Sequence, residues 1–347
     1  MGRRLIALIV LVTALGTSLG YADSDGWKVP VLELKFFPTR DGVHLDAAEV
    51  GRDLAPGTTL TDIRQRVETL SESTVEALTQ GSIYHGYRYP GATPSLRYKI
   101  YTSKEFLEPV PRSAQFPPFA DHLRIFTHLD VCDYVESHGV KEVWIWMYHS
   151  DHVVPIESNM AGPFGDISNS HRQPDLPVCA KTYTVYNYNY GRGLGEALEN
   201  HGHQIEAVFG YVDQELWRLY TGPVGSQPGP RRCGNVHTPP NGASDYDWAN
   251  EASVLSDCET WSPEGSGTKQ RVSCHTWYGP TCSNNGGIEY KVWWMQNIPG
   301  RKHRLTYRGA PLQNWWVFFG DFDAAMTAGR ALLEPSSVKE GVDFSGQ

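Results

Sequence analysis

After residue 22 the chain has no apolar run near the roughly 18 residues that a bilayer-crossing helix needs, so the mature protein is expected to be soluble, with no membrane partner. It has no Cys-x-x-Cys pair, which argues against a zinc site built from thiolates. Cationic excess is also missing, with 30 Lys and Arg against 39 Asp and Glu. Phosphate recognition needs clustered basic side chains, so nucleic acid is excluded as a partner. No internal repeat is evident, and no complete dinucleotide or phosphate-loop motif occurs. The chain also lacks His-Glu-x-x-His and its inverted form.

Residues 1–22 read as a secretory leader. Arg3 and Arg4 give a positive start, LIALIVLVTALG an apolar core, and Gly20-Tyr21-Ala22 a small-x-small cleavage pattern. Export is therefore expected. Losing Arg3 and Arg4 from the 30 basic residues leaves 28 against 39 acidic ones, a net charge of −11. The remaining length of about 325 residues is ample for a large core. All six cysteines fall in this part: Cys132, Cys179, Cys233, Cys258, Cys274 and Cys282. An even count in an exported chain implies three disulfides. Loop lengths favour Cys274–Cys282 and Cys233–Cys258 as local staples, leaving Cys132–Cys179 to tie a helix to a central strand.

Strand-like and helix-like segments alternate. Strands are expected from residue 29, from residue 95, over 142–148 and over 181–190. Helices are expected over 61–79 with Thr61 as cap, within 119–138, and from 194 to about 220, where Leu198, Ile205, Phe209 and Leu216 share a stripe. This order predicts an α/β fold, with a mixed or mainly parallel sheet flanked by helices. Residues 23–222 would form the core. Residues 223–287, rich in Gly, Pro, Ser, Asn and Cys, would form a disulfide-stapled, loop-rich cap. Residues 288–347 would return to the core.

Strands apolar on both faces are buried in such sheets, and ligands gather beyond their carboxyl ends. Those ends carry His149, Asp151, His152, Glu157, Asn159, Asn187, Asn189 and Arg192. Glu157 follows a buried strand at the stiff turn Pro155-Ile156, a setting that raises a carboxyl pKa and suits a general acid. On the following helix, the stretch ENHGHQIE puts Glu199, His203 and Glu206 on one face and turns His201 about 160° away from His203. Asp245 and Asp247 form an Asp-x-Asp pair in the cap. The 11 Trp and 18 Tyr could serve core packing or sugar stacking.

These features lead to three functional expectations. The first is a secreted hydrolase of an extracellular polymer, glycan rather than peptide, with Glu157 as acid/base and Glu206 or Asp247 as its carboxylate partner. Asn159, Asn187, Asn189, Arg192 and His203 would bind substrate. The second is a hydrolase with one divalent metal ion as cofactor, His203 and Glu206 as ligands and Glu157 as base. The third is a carbohydrate-binding or surface-structural protein without turnover, holding a polymer or a small polar ligand.

Overall fold

The computed structural model describes residues 26–51, 53–168, 176–223, 232–264, 267–329 and 332–334; the leader expected over 1–22 lies outside the described residues. Among these, no helix is long and apolar enough to cross a membrane. In chain order the elements are β1 (Trp27–Phe36), α1 (Ala47–Val50), α2 (Leu60–Gly81), β2 (Leu96–Phe106), α3 (His122–Leu129), α4 (Val131–Glu136) and β3 (Glu142–Met147). There follow β4 (Ser158–Ala161), β5 (Tyr183–Asn189), α5 (Leu194–Val212) and α6 (Gln214–Thr221). The cap carries β6 (Val254–Ser256), β7 (Gln270–Val272) and α7 (Cys274–Tyr278). The chain then returns through α8 (Ile288–Gln296), β8 (Thr306–Tyr307), β9 (Ala310–Pro311), α9 (Val317–Gly320) and α10 (Phe322–Ala328).

The main sheet has the order β2-β1-β3-β5-β4. Its first four strands are parallel and β4 is antiparallel to β5. This is the mixed, mostly parallel α/β sheet that the alternation predicts. Every residue of β3 and β5 is buried, because helices cover both faces. On one face Glu142, Trp144 and Trp146 sit level with Thr184, Tyr186 and Tyr188, under α5. His201 of α5 stacks on Tyr186 with ring centres 3.9 Å apart and shares a hydrogen bond with the Tyr188 hydroxyl at 2.6 Å. It thus faces the sheet, while His203 faces outward to the cap. Of the tryptophans, ten are buried and Trp27 is half-buried, so they build the core and none forms an open sugar-stacking platform.

Three boundaries differ from the sequence expectation. Helix α2 starts at Leu60, because Thr59 and not Thr61 is the cap; it forms a capping box with Asp62. The expected helix in 119–138 divides into α3 and α4 at Asp130, which takes a left-handed φ of 52°. The long helix from 194 breaks at Asp213, whose extended backbone ends α5 and whose carboxylate caps α6 by accepting from the Leu216 amide.

The three disulfides are Cys132–Cys179, Cys233–Cys258 and Cys274–Cys282, and no free cysteine occurs among the described residues. Two of them brace the cap. Helix α8 packs on α2 and α5. It runs beneath the cap and holds Lys291 buried at its middle.

Candidate metal centre

Helix α5 runs back along the sheet, which by itself would carry His203 away from the strand ends. Strand β4 resolves this. It returns antiparallel to β5, with Ser158 level with Tyr186. Its first residue is tied to the third turn of α5 by a hydrogen bond from the Ser158 hydroxyl to Gln204 at 2.6 Å. Glu157, just before β4, therefore arrives beside His203, with its Oε1 3.9 Å from His203 Nε2.

The cap supplies the other side. Gly202 lies between His201 and His203 because Val236 packs directly on it; a methyl group there would stand 2.3 Å from Val236 Cγ2. This close approach delivers His237. Its Nε2 lies 2.9 Å from His203 Nε2 and 3.0 Å from Glu199 Oε1. Ligand atoms of Glu199, His203 and His237 all fall within 4.8 Å of one another. The Tyr246 hydroxyl stands 3.4 Å from Glu199 Oε1 and 3.3 Å from His237 Nε2.

Proton counting shows what this arrangement lacks. His203 Nδ1 faces Glu206 Oε2 at 3.2 Å, and that carboxylate also accepts the Val236 amide through Oε1 at 2.9 Å. The network thus assigns the neutral ring's proton to Nδ1, leaving a lone pair on Nε2. Two imidazole nitrogens, a carboxylate oxygen and a phenol then converge on one point, where at most two protons, on the phenol and on His237 Nε2, serve four contacts. A divalent cation would satisfy all four groups at once. A carboxylate behind the distal nitrogen of a ligating histidine is the usual way to fix its tautomer and raise its basicity. Two histidines and a glutamate are a donor set suited to zinc.

Buried Lys291 completes the cluster. Its ammonium donates to Glu199 Oε2 at 3.1 Å and to the carbonyls of Gly195 and Gly286, and lies 4.3 Å over the Trp248 ring. Burial pushes its pKa down to about 8. Burial would raise Glu199, but the His237 hydrogen bond and the Lys291 charge outweigh it and hold the carboxyl at about 2. Burial would lower His203, yet Glu206, Glu157 and Glu199 together raise it.

Several expected residues do other work. Glu206 sits behind the His203 ring, on its Nδ1 side, whereas Glu199, on the same helix face, stands at the convergence point. Asp247 accepts from the Ala243 amide and the Asn250 side chain, and Asp245 from the Thr238 hydroxyl, so the Asp-x-Asp pair holds a turn. Asn187 bonds His122 at 3.1 Å on the sheet face opposite α5. Asn189 bonds Asp53 and the Gly191 amide, Asn159 is buried within β4, and Arg192 pairs with Glu196. None of these four is shown at the His203 cluster. Two other groupings, around Cys274–Cys282 and Cys132–Cys179, have their sulfurs committed to disulfides. His237 and Tyr246 stand out in the sequence only as part of the stretch from His237-Thr-Pro-Pro-Asn-Gly to Asp245-Tyr246-Asp247, with no spacing that joins them to His203, and the signal for Lys291 is a lysine isolated inside the apolar run EYKVWWMQ.

Compared with family models, curated proteins and solved structures, the chain gives no match.

Proposed function

We propose that the protein is an exported, metal-dependent hydrolase that cleaves an acyl bond, amide or ester, in an extracellular substrate. The supporting observation is the convergence of Glu199 Oε1, His203 Nε2 and His237 Nε2, with Glu206 fixing His203 from behind. A divalent ion held by these three groups would polarise the scissile carbonyl and acidify water. Glu157 is too far from His203 Nε2, at 3.9 Å, to be a fourth close donor, but is well placed to take the proton of the attacking water and pass it to the leaving group. Lys291 holds Glu199 through its second oxygen and keeps the first turned to the ion. Three disulfides support an extracellular setting, because such bonds persist in oxidising compartments.

The carboxylate-pair glycosidase is less well supported. Its two carboxyls, Glu157 and Glu206, stand on opposite edges of one imidazole, and both oxygens of Glu206 are engaged there.

The test starts from the mature protein. It should bind about one equivalent of zinc, and hydrolysis of a panel of peptide and ester polymers should vanish with chelator and return with zinc. Glu157→Gln should keep the zinc and lose turnover. Protein that binds no zinc, or hydrolysis untouched by chelator, would overturn the proposal.

A further inference from the structure

We propose that Tyr246 is a fourth, displaceable ligand of this centre, closing in the resting protein the position that substrate must occupy. The inference rests on the metal reading above and adds how the site is occupied and opened. Ligand atoms about 2.0–2.1 Å from a tetrahedral ion stand about 3.3 Å from one another. The Tyr246 hydroxyl lies 3.3 Å from His237 Nε2 and 3.4 Å from Glu199 Oε1, which is that spacing on two edges. Glu157 Oε1, 3.9 Å from His203 Nε2, lies beyond it. On the edges these distances define, the phenol and not the carboxylate matches the spacing of a fourth vertex.

The surroundings hold Tyr246 at its root and leave its outer side open. Its amide donates to the His237 carbonyl at 2.8 Å, tying it to the turn that carries that ligand. The neighbouring Asp245 and Asp247 are fixed by Thr238 and Asn250. Its ring meets those of His237, with centres 4.6 Å apart, and Trp248, at 5.2 Å. Yet the residue is 50 % exposed, whereas His203 is 8 % exposed. It also keeps a left-handed backbone, φ 65°, that tyrosine seldom adopts. Of the four donors it is the one placed to swing into solvent without disturbing the core. Structural zinc sites are closed, whereas catalytic ones keep a position for water or substrate. Here closure and opening alternate through one side chain. The phenol releases its proton to solvent when it binds the ion, and regains one when an oxygen ligand displaces it.

Copper(II) provides a readout independent of turnover. Mature wild-type protein loaded with one equivalent should show a visible phenolate-to-copper charge-transfer band. Tyr246→Phe, which loses only a hydroxyl from a half-exposed ring, should bind one equivalent without the band. Azide should bind its copper at least tenfold more tightly than in wild type, because no internal ligand need first be displaced. Equal spectra and equal azide affinities, with one copper bound in each, would overturn the tyrosine gate and leave the metal centre standing. Failure of the wild type to retain copper or zinc would overturn both.

Discussion

His203 and His237 lie 34 residues apart in the chain, yet their Nε2 atoms are 2.9 Å apart. One rides on a helix packed against the sheet and the other on a cap loop without regular structure. Their meeting depends on Glu206, which binds the ring of His203 with one oxygen and the amide of Val236 with the other. A single carboxylate thus sets both the tautomer of the first histidine and the height of the loop that carries the second.

Replacing that carboxylate with an amide separates these roles. Glu206→Gln can still accept the Val236 amide through its carbonyl, so the loop should stay in place. His203 loses its anionic partner, and zinc affinity should fall about 10- to 100-fold, as for other carboxylates behind metal-bound histidines. Competition with a chromophoric chelator measures this. Unchanged affinity would show that His203 does not bind the ion through Nε2.

Gly202→Ala tests the loop contact from the helix side. The added methyl meets Val236 at 2.3 Å, so the loop must lift. Overpacking of this kind costs about 1–3 kcal/mol. The melting temperature should drop, and zinc affinity should drop further than in an alanine variant of Gly210, whose nearest neighbour would be the Trp217 ring at 3.8 Å. Equal zinc affinity in the two variants would mean that Val236 does not set the position of His237.

Much of the fold was legible in the sequence because its signals are local. Apolar runs such as EVWIWM mark buried strands, and the stripe of α5 marks a helix. Strand β4, SNMA, has no β-branched residue and no clear alternation; only pairing with β5 makes it a strand. Asp213 broke a stripe that continues across it, because an aspartate that caps is indistinguishable in sequence from one exposed on a helix face. The site was half legible. Helical geometry put Glu199, His203 and Glu206 on one face, but whether each faces the ion or supports a ligand depends on which ring nitrogen it meets. His237 lies in a Pro- and Asn-rich loop, where no period predicts its partner. The asparagines at the strand ends are polar groups in an apolar setting, and they join a network with His122 and Asp53.

Stability should depend on pH through Glu142. Its buried carboxyl accepts from Trp144 and Tyr98 and lies 3.9 Å from His201, itself held neutral by burial. Burial, only partly offset by those two hydrogen bonds, raises its pKa from 4.5 to about 8. The folded protein then keeps a proton that the unfolded chain has lost. This contribution is fully present below pH 4.5 and is lost as pH rises towards 8, by at most about 1.4 kcal/mol per pH unit. Urea midpoints between pH 5 and 8 should fall in wild type and lie flatter in Glu142→Gln. Parallel profiles would place the titration elsewhere.

The two long disulfides should differ in what they protect. Cys233–Cys258 closes a separation of 25 residues and starts the loop that carries His237, whereas Cys132–Cys179 closes 47 residues and fastens α4. Loop-closure entropy makes each worth about 3–4 kcal/mol, with the longer loop slightly favoured. On stability alone the serine pair Cys132→Ser, Cys179→Ser should therefore be at least as damaging. Zinc binding should show the reverse order. Without Cys233–Cys258, Gly234 to Val236 keep main-chain bonds to Thr221 and Thr238, a bond from the Tyr290 hydroxyl to the Asn235 carbonyl and the Glu206 bond, but lose their covalent tie, so His237 is held less firmly for the ion. Zinc affinity in Cys233→Ser, Cys258→Ser should fall at least tenfold, with little change in the other pair. Melting temperatures and zinc competition on both variants decide the matter. Equal losses of affinity would show that the ligand loop is held by general stability and not by its own staple.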